Sequence, residues 1–232
     1  MKVCALIPAF NEEARVAAVV SGARRHLSKI IVVDDGSADA TAAAAKKAGA
    51  EVIRHPVNRG KGAGLKTVME RAFGEGFDAV LILDADGQHK VDEIPLFLKA
   101  AEETGADIVV GSRMEKAKGM PLVRYLTNRF TSAVISKLAG QEVPDSQCGY
   151  RLIREGAFRR MTFRTTRYDT ESEMLIEAGR AGCRIVSVPV STIYGTEKSK
   201  INPFKDTVRF FNLVMRHLRH PHPDPPPSQC EV

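Results

Sequence analysis

The stretch that decides the fold runs from Val80 to His89 and reads Val-Leu-Ile-Leu-Asp-Ala-Asp-Gly-Gln-His. A short run of consecutive apolar residues is typical of a strand buried on both faces, as in parallel sheets. Because such a strand offers no solvent to a carboxylate, we expect Asp84 and Asp86 where the chain leaves the sheet. In open parallel sheets this edge, at the carboxyl ends of the strands, is where ligands bind.

The composition is that of an ordinary globular chain. It has 232 residues, 44% of them hydrophobic and 27% charged, with a formal net charge of +6. Such a mild excess suits an anionic small ligand or a membrane surface, or serves only solubility, and no nucleic-acid partner is predicted. Widely spaced cysteines without a C-x-x-C pair indicate reduced thiols. No signal peptide fits and no apolar run approaches the ~20 residues of a membrane span, so we expect a cytoplasmic protein, either free or peripheral on the inner face of the membrane.

Strand-like and helix-like segments alternate through the first half of the chain. Strand-like segments at 2–8, 29–33, 51–54, 80–84 and 108–111 are each followed by a helical pattern. This alternation predicts an α/β fold with a mostly parallel sheet, helices on both faces and right-handed crossovers. We expect one domain over residues 1–200, an amphipathic helix over 201–219 and a disordered proline-rich tail over 220–232.

The second half of the chain is less regular. A helix over 120–138 has an apolar stripe from Leu122 to Leu138, which forms either core or a homodimer interface. Residues 143–151 are interpreted as a loop that returns to the sheet, and a helix near 171–181 and a last strand at 184–190 follow. The final helix has an apolar face from Phe204 to Leu218 beside basic residues, which fits either packing against the domain or a membrane surface.

Polar side chains follow four of the predicted strands: Asn11 and Glu12, Asp34 and Asp35, Asp84 and Asp86, and Arg113. Because the carboxyl ends of parallel strands share one edge, we expect these groups to lie together. Asn11 is also expected to cap the first helix.

Asp84, Asp86 and Gln88 supply hard oxygen ligands within one turn of chain. Such a set suits Mg²⁺ or Mn²⁺ shared with substrate phosphates, because magnesium tends to take only one or two carboxylates from the protein. The alternative is a hydrogen-bonded turn without a ligand. The spacing of an EF-hand is absent.

Several other classes of site lack their motifs. The segment from Gly60 to Gly64 does not have the Walker spacing, although Lys61 and a helix N-terminus there could meet a diphosphate; a plain glycine-rich helix entry is the alternative. No G-x-G-x-x-G follows the first strand, which argues against a dinucleotide-dependent oxidoreductase. Neither a nucleophile elbow nor H-E-x-x-H occurs, which argues against a serine hydrolase and a zincin.

With these residues in place, the chain resembles the family 2 glycosyltransferases, which have the nucleotide-sugar-binding GT-A fold (Rossmann-like). Within that family it looks closest to the dolichyl or polyprenyl phosphate mannosyltransferase group. The resemblance extends from about residue 3 to residue 200 and rests on Ile7–Glu12, Val33–Asp39, Asn58–Gly62, Asp84–His89, Gly111–Arg113 and Cys148–Arg151.

The resemblance implies roles for individual residues. The nucleotide sugar would be held by Pro8, Phe10, Glu12, Asp35, Lys61, Asp84, Ala85, Asp86, Arg113 and Lys200, and the metal by Asp84, Asp86 and Gln88. Arg113, Arg151 and Lys200 would contact the phosphates or the acceptor. Thr192 stands where members acting on dolichyl phosphate commonly have an arginine.

The implied reaction is the metal-dependent transfer of a hexose from a GDP- or UDP-linked donor. A polyprenyl phosphate acceptor is already anionic and needs no general base, whereas a saccharide or other hydroxyl acceptor needs a carboxylate to take its proton. Asp145, Glu171 and Glu173 are the candidates for that carboxylate.

Two alternatives come from other functional classes. A sugar nucleotidyltransferase would require a glycine-rich loop after the first strand, where Pro8–Glu12 stands instead. A non-catalytic binding domain is disfavoured by the intact pair of Asp84 and Asp86.

Overall fold

The computed structural model describes residues 1–115, 120–165, 169–193 and 203–219, with the side chains of the last range from residue 207 onward. The strands are β1 (Val3–Ala9), β2 (Ile30–Asp34), β3 (Glu51–Arg54), β4 (Ala79–Ile82), β5 (Ile108–Ser112), β6 (Arg151–Arg154) and β7 (Ile185–Pro189). The helices are α1 (Val16–Ala23), α2 (Thr41–Lys47), α3 (Lys61–Gly74), α4 (Ile94–Thr104), α5 (Leu122–Ala139), α6 (Glu155–Arg160), α7 (Asp169–Arg180) and α8 (Pro203–Arg219).

The strands form one sheet in the order β3-β2-β1-β4-β6-β5-β7. Neighbouring strands pair in parallel except β6, which runs antiparallel to both β4 and β5. The predicted mostly parallel sheet is therefore confirmed. The carboxyl ends of β1, β2, β4 and β5 share one edge, because these four strands run in the same direction.

Helices cover both faces of the sheet, and alternate residues of each strand point into two separate cores. Ile7 on β1 packs in the core under α1, α2 and α4, whereas its neighbour Leu6 packs in the core under α3, α5, α6, α7 and α8. This two-residue alternation explains why the strands are apolar throughout. Cys4, Cys148 and Cys183 are buried free thiols within these cores, and burial raises the pKa of Cys4 and of Cys148 to about 12.

Strand β6 and helix α6 were not predicted from the sequence. The predicted loop over 143–151 ends where β6 begins, and β6 inserts between β4 and β5. Leu152 and Ile153 face opposite cores. Like β3, this segment has only two apolar residues between charged ones. However, β3 lies within the regular alternation of strands and helices, whereas this segment follows an irregular stretch of chain.

The apolar stripes of α5 and α8 are only partly buried. On α5, Leu122 and Phe130 are exposed, whereas Ile135 on another face is buried. Helix α8 packs on α7 through Leu213 and His217 and leaves an apolar row of Val208, Phe211, Met215 and Leu218 exposed. The core interpretation is therefore wrong for the N-terminal half of the α5 stripe, and the packing interpretation is wrong for the exposed row of α8.

Three further expectations concern the cap of α1, a membrane span and the C-terminal tail. Helix α1 begins at Val16 without a side-chain cap, so the predicted capping role of Asn11 is wrong. None of the helices in the described ranges is both long and apolar enough to span a membrane. The predicted disordered tail, 220–232, lies outside the described residues.

Candidate active site

The loop that follows β1 is tied to the loop that follows β2. Asn11 has a left-handed backbone, with φ 53°, and its side-chain Oδ1 accepts a hydrogen bond from the Ala38 N–H at 3.0 Å. The Glu12 N–H donates to Thr41 Oγ1 at 2.8 Å, and the Glu12 carboxylate pairs with Arg15 at 3.3 Å. These bonds hold the end of β1, where Pro8 is half-buried and Phe10 is exposed, against the end of β2.

The two aspartates at the end of β2 organise the backbone around them. Asp34 accepts a hydrogen bond from the Ser37 N–H at 2.8 Å. Asp35 is buried, and its carboxylate accepts from the Arg59 N–H at 2.9 Å and the Gly60 N–H at 2.8 Å. Its Oδ1 also lies 2.8 Å from His55 Nδ1. Asp35 therefore fixes the segment that leads into α3.

The first residue of α3, Lys61, reaches across to the end of β4. Its Nζ lies 2.6 Å from Asp84 Oδ1 and 3.0 Å from Glu171 Oε1, in the first turn of α7. The other Asp84 oxygen lies 3.4 Å from His89 Nε2. We call Lys61, Asp84 and Glu171 the ion cluster.

Electrostatics keeps both ends of this cluster charged. Burial by itself would lower the pKa of Lys61, but the carboxylates of Asp84 and Glu171 outweigh it and raise that pKa above its ordinary value. Burial likewise would raise the pKa of Asp84, yet Lys61 and His89 together lower it. The carboxylate and the ammonium therefore coexist as ions at neutral pH.

Gly149 lies against all three members of the ion cluster. A Cβ built on it would stand 2.8 Å from Asp84 Oδ2, 3.0 Å from Glu171 Oε1 and 3.1 Å from Lys61 Nζ. The loop after α5 approaches the end of β4 this closely only because residue 149 has no side chain.

The predicted metal ligands lie in the tight turn after β4. Asp86 Oδ1 accepts from the Gln88 N–H at 2.9 Å, Gly87 has φ 74°, and Ala85 is buried beneath the turn. Within the described part of the chain, no three His, Cys, Asp or Glu side chains are grouped to hold a metal by themselves. The oxygen donors of Asp86 and Gln88 are of the type that suits a hard cation such as Mg²⁺ or Mn²⁺.

Arg113, at the end of β5, is paired with Asp145. Its Nε and Nη2 lie 2.7 and 2.8 Å from the two carboxylate oxygens of Asp145, and its backbone N–H donates to the same carboxylate at 3.1 Å. Both side chains are buried. This bidentate pair fixes the loop after α5 to the edge of the sheet.

Two more of the predicted residues hold backbone in place. Arg151 is buried and donates to the carbonyl oxygens of Ser146, Cys148 and Glu171. Glu173 accepts from the backbone N–H groups of residues 164 and 165 and is also buried. Arg151 thus connects the loop that contains Gly149 to the start of α7, so it positions the ion cluster.

The contacts above join most of the predicted site into one connected region. Asp35 holds Gly60, and the next residue, Lys61, holds Asp84 and Glu171. Gly149 lies beside the three members of this ion cluster. The same loop is held to Arg113 through Asp145. Lys200 lies outside the described residues.

Sequence reasoning missed three residues of this region: His55, His89 and Gly149. His89 and Gly149 stand inside motifs quoted for the resemblance, so the signal for them was present. His55 follows β3 without a motif, and only its contact with Asp35 identifies it.

A family model described as "Glycosyl transferase family 2" matches residues 4–162. The chain belongs to this family. The matched range contains β1 from its second residue, β2 to β6 and all of the connected region except Glu171, so the family 2 pattern covers six of the seven strands described and most of the candidate site. The protein is accordingly a glycosyltransferase with a GT-A fold.

Curated relatives of this family 2 protein include transferases whose names give a lipid phosphate. It is 34% identical over 212 residues to a UDP-N-acetylglucosamine–dolichyl-phosphate N-acetylglucosaminyltransferase of Methanococcus voltae. This match covers 82% of this chain and 84% of the relative. It is 29% identical over 212 residues to an undecaprenyl-phosphate mannosyltransferase of Micrococcus luteus, with 83% and 84% covered. The predicted resemblance to the polyprenyl phosphate group is confirmed.

A solved structure supports the fold independently. Glucosyl-3-phosphoglycerate synthase from Mycobacterium tuberculosis, crystallised with Mn²⁺, UDP-glucose and phosphoglyceric acid, superposes with a TM-score of 0.72. The likeness covers 95% of this chain and 81% of that one, at 18% sequence identity. At this identity the likeness establishes the fold and nothing finer.

Proposed function

We propose that the protein transfers a hexose from a GDP- or UDP-linked sugar to a polyprenyl phosphate, with Mg²⁺ or Mn²⁺ at Asp84, Asp86 and Gln88. The observation that carries the proposal is the ion cluster at the carboxyl end of β4, two residues from Asp86. The names of the relatives support the acceptor, since one acts with dolichyl phosphate and one with undecaprenyl phosphate.

In this proposal the region divides into a nucleotide side and a diphosphate side. Pro8, Phe10, Glu12 and Asp35 line the nucleotide side, where Asp35 also keeps the entry of α3 in place. Lys61, Asp84 and Ala85 lie on the diphosphate side. A bound divalent cation stabilises the negative charge that grows on the leaving nucleoside diphosphate. Asp84 and Asp86 would hold that ion, and the N-terminus of α3 adds the positive end of a helix dipole.

The buried carboxylates favour an acceptor that needs no general base. Of the three candidates for that role, Asp145 is bound to Arg113 through both oxygens and Glu173 is bound to backbone N–H groups. Glu171 is paired with the Lys61 ammonium. A lipid phosphate is already ionised near neutral pH, and its oxygen can attack without losing a proton to one of them. Transfer to a hydroxyl acceptor is the second candidate, with Glu171 as its base.

Helices α5 and α8 supply the surface that a lipid acceptor requires. Leu122, Leu126 and Phe130 on α5 and the exposed row of α8 present apolar side chains, and Arg124, Arg129 and Arg219 are exposed on the same helices. Apolar side chains flanked by basic ones suit the surface of an anionic membrane. A homodimer contact of the α5 stripe is the alternative. The roles of Arg113, Arg151 and Lys200 at the acceptor and the domain boundary at residue 200 stay predictions.

Calorimetry of UDP and GDP binding with Mn²⁺ tests the donor and metal assignment. We expect Asp86→Ala to abolish Mn²⁺-dependent binding of the nucleotide without unfolding the protein. Asp92→Ala is the matched control, because Asp92 is an exposed aspartate with a side chain 75% accessible and the same charge is removed. Unchanged UDP and GDP affinity in Asp86→Ala contradicts the metal assignment.

Transfer assays with matched lipids test the acceptor. We expect radiolabelled sugar to pass to a polyprenyl phosphate but not to the corresponding polyprenol, because only the phosphate is already ionised. Transfer to the polyprenol or to a saccharide at an equal rate contradicts the lipid-phosphate acceptor.

A further inference from the structure

The Lys61 ammonium lies where it would compete with a metal ion for the Asp84 carboxylate. It lies 2.6 Å from an oxygen of Asp84, the residue that the proposed function assigns to the cation. The other Asp84 oxygen faces His89. Both oxygens of this carboxylate thus have partners within the protein, although two of the three predicted metal ligands, Asp86 and Gln88, lie in an adjoining turn.

The charges make this competition strong. A divalent cation close to Asp84 would meet the positive charge of Lys61 across a largely buried site, since the Lys61 side chain is only 14% exposed. The repulsion between a dication and an ammonium is twice that between two single charges at the same distance, and burial reduces its screening. Movement of the ammonium away from Asp84 toward Glu171, whose Oε1 lies 3.0 Å from Nζ, would relieve this repulsion.

Lys61 has a second partner that allows it to move without becoming isolated. Its Nζ is already 3.0 Å from Glu171, so it can leave Asp84 and keep one carboxylate. A Cβ on residue 149 would stand 3.1 Å from Nζ, so the glycine at this position keeps a side chain from crowding the ammonium. The lysine is also the first residue of α3, and the N-terminus of a helix favours the binding of anionic phosphates.

We propose that Lys61 is the resident counter-ion of Asp84, that a divalent cation must displace it, and that the displaced ammonium, held by Glu171, then binds the diphosphate. Metal and nucleotide consequently bind cooperatively, and the metal alone binds weakly. The nucleotide half of this inference rests on the proposed function, whereas the metal half does not.

Calorimetric titration with MnCl₂ in the absence of nucleotide tests the metal half. We expect Lys61→Met to bind Mn²⁺ at least about tenfold more tightly than the wild type, because the competing charge is gone. Lys66→Met is the matched control: Lys66 lies on the same helix, its side chain is 50% exposed, and the same charge is lost. An Mn²⁺ affinity of Lys61→Met equal to or weaker than that of Lys66→Met overturns the inference.

Two further variants exclude a binding site created by the substitution itself. The double variant Lys61→Met/Glu171→Gln also removes the competing ammonium but leaves no Glu171 carboxylate to bind Mn²⁺ in its place. It also avoids leaving the Glu171 carboxylate without its lysine partner, which protects the fold. We expect it to keep the gain in Mn²⁺ affinity, and we expect Lys61→Met/Asp84→Asn to lose it. A gain that disappears with Glu171→Gln, or survives Asp84→Asn, overturns the role of Lys61 at Asp84.

A second titration, with saturating GDP or UDP, tests the coupling. The factor by which nucleotide increases Mn²⁺ affinity should be larger in the wild type than in Lys61→Met, since coupling is reciprocal between the two ligands. Equal factors overturn the coupling. A wild type in which neither nucleotide changes Mn²⁺ affinity contradicts the proposed function as well, while the metal-only comparison of Lys61→Met with Lys66→Met still decides the role of Lys61.

Discussion

Gly149 determines how closely the loop after α5 approaches the ion cluster. A Cβ at this position would meet a lysine, an aspartate and a glutamate that come from α3, from the end of β4 and from α7. Arg151 holds the same loop to the carbonyl oxygen of Glu171. The geometry of the charged groups therefore depends on a residue that itself has no functional group.

A methyl group at residue 149 is predicted to disrupt the site. Gly149→Ala places a Cβ 2.8 to 3.1 Å from charged atoms of all three cluster residues, so these must shift. We expect sugar transfer to fall at least about tenfold, as misplacement by about 1 Å costs more than that in oriented sites. Initial rates with nucleotide sugar and polyprenyl phosphate measure the effect.

Gly156→Ala is the control for this substitution. It lies in α6 with no atom within 4 Å of a built Cβ. Alanine there should leave transfer unchanged and raise the free energy of unfolding by about 0.4–1 kcal/mol. Equal rates for the two variants contradict the proposed importance of Gly149.

At the scale of elements, α8 has two apolar faces with different environments. Leu213 is 1% exposed against α7, and His217 beside it lies between the Leu213 carbonyl oxygen and the Glu177 carboxylate, which is 3.1 Å from Nε2. Leu218, on the opposite face, is 59% exposed. The buried face explains how α8 is held to the domain and leaves the other face available for a partner.

The two leucines of α8 should therefore differ in their contribution to stability. Leu213→Ala is expected to lower the free energy of unfolding by about 2–4 kcal/mol, because it leaves a cavity against α7. Leu218→Ala should change it by less than about 0.5 kcal/mol, as is usual for surface positions. Urea denaturation of both variants measures this difference, and equal losses contradict the observed orientation of α8.

At the scale of the whole molecule, the proposed attachment to a membrane surface depends on the net charge and on the exposed apolar side chains. The net charge is +6, and the exposed side chains of α5 and α8 lie on helices that both pack on α7. A lipid substrate brings its phosphate to the protein only if the protein reaches the lipid surface. Attachment by these helices would achieve this without a spanning segment.

Vesicle sedimentation tests this attachment. Phe211→Ser/Leu218→Ser should reduce binding to vesicles that contain anionic phospholipid by more than about tenfold, since each buried apolar side chain contributes about 1.5–3 kcal/mol. Val57→Ser, at an apolar residue 64% exposed outside both helices, is the control. Added salt should weaken the binding of the wild type. Equal sedimentation of the double variant and the control contradicts membrane attachment through α8.

The parts of this fold that could be predicted are those with a local signal. Six strands and seven of the helices follow from short apolar segments that alternate with helical patterns, whereas β6, with Leu152 and Ile153 between arginines, lies outside that alternation. The polar motifs were predicted to gather at one edge because parallel strands impose it. Their pairing could not be predicted, because Lys61 and Glu171 are far apart in the chain.

By itself, the amino-acid sequence determined the parallel α/β sheet, the acids at the carboxyl ends of its strands and membership of the glycosyltransferase family. These properties depend on hydrophobic period and on motifs that each lie within a few residues. Only the tertiary structure decided that Asp84 is paired with Lys61, that Asp145 holds Arg113, and that α5 and α8 turn apolar side chains outward. Ion pairs and the orientation of an amphipathic helix depend on neighbours brought together by folding, and no local pattern encodes those distances.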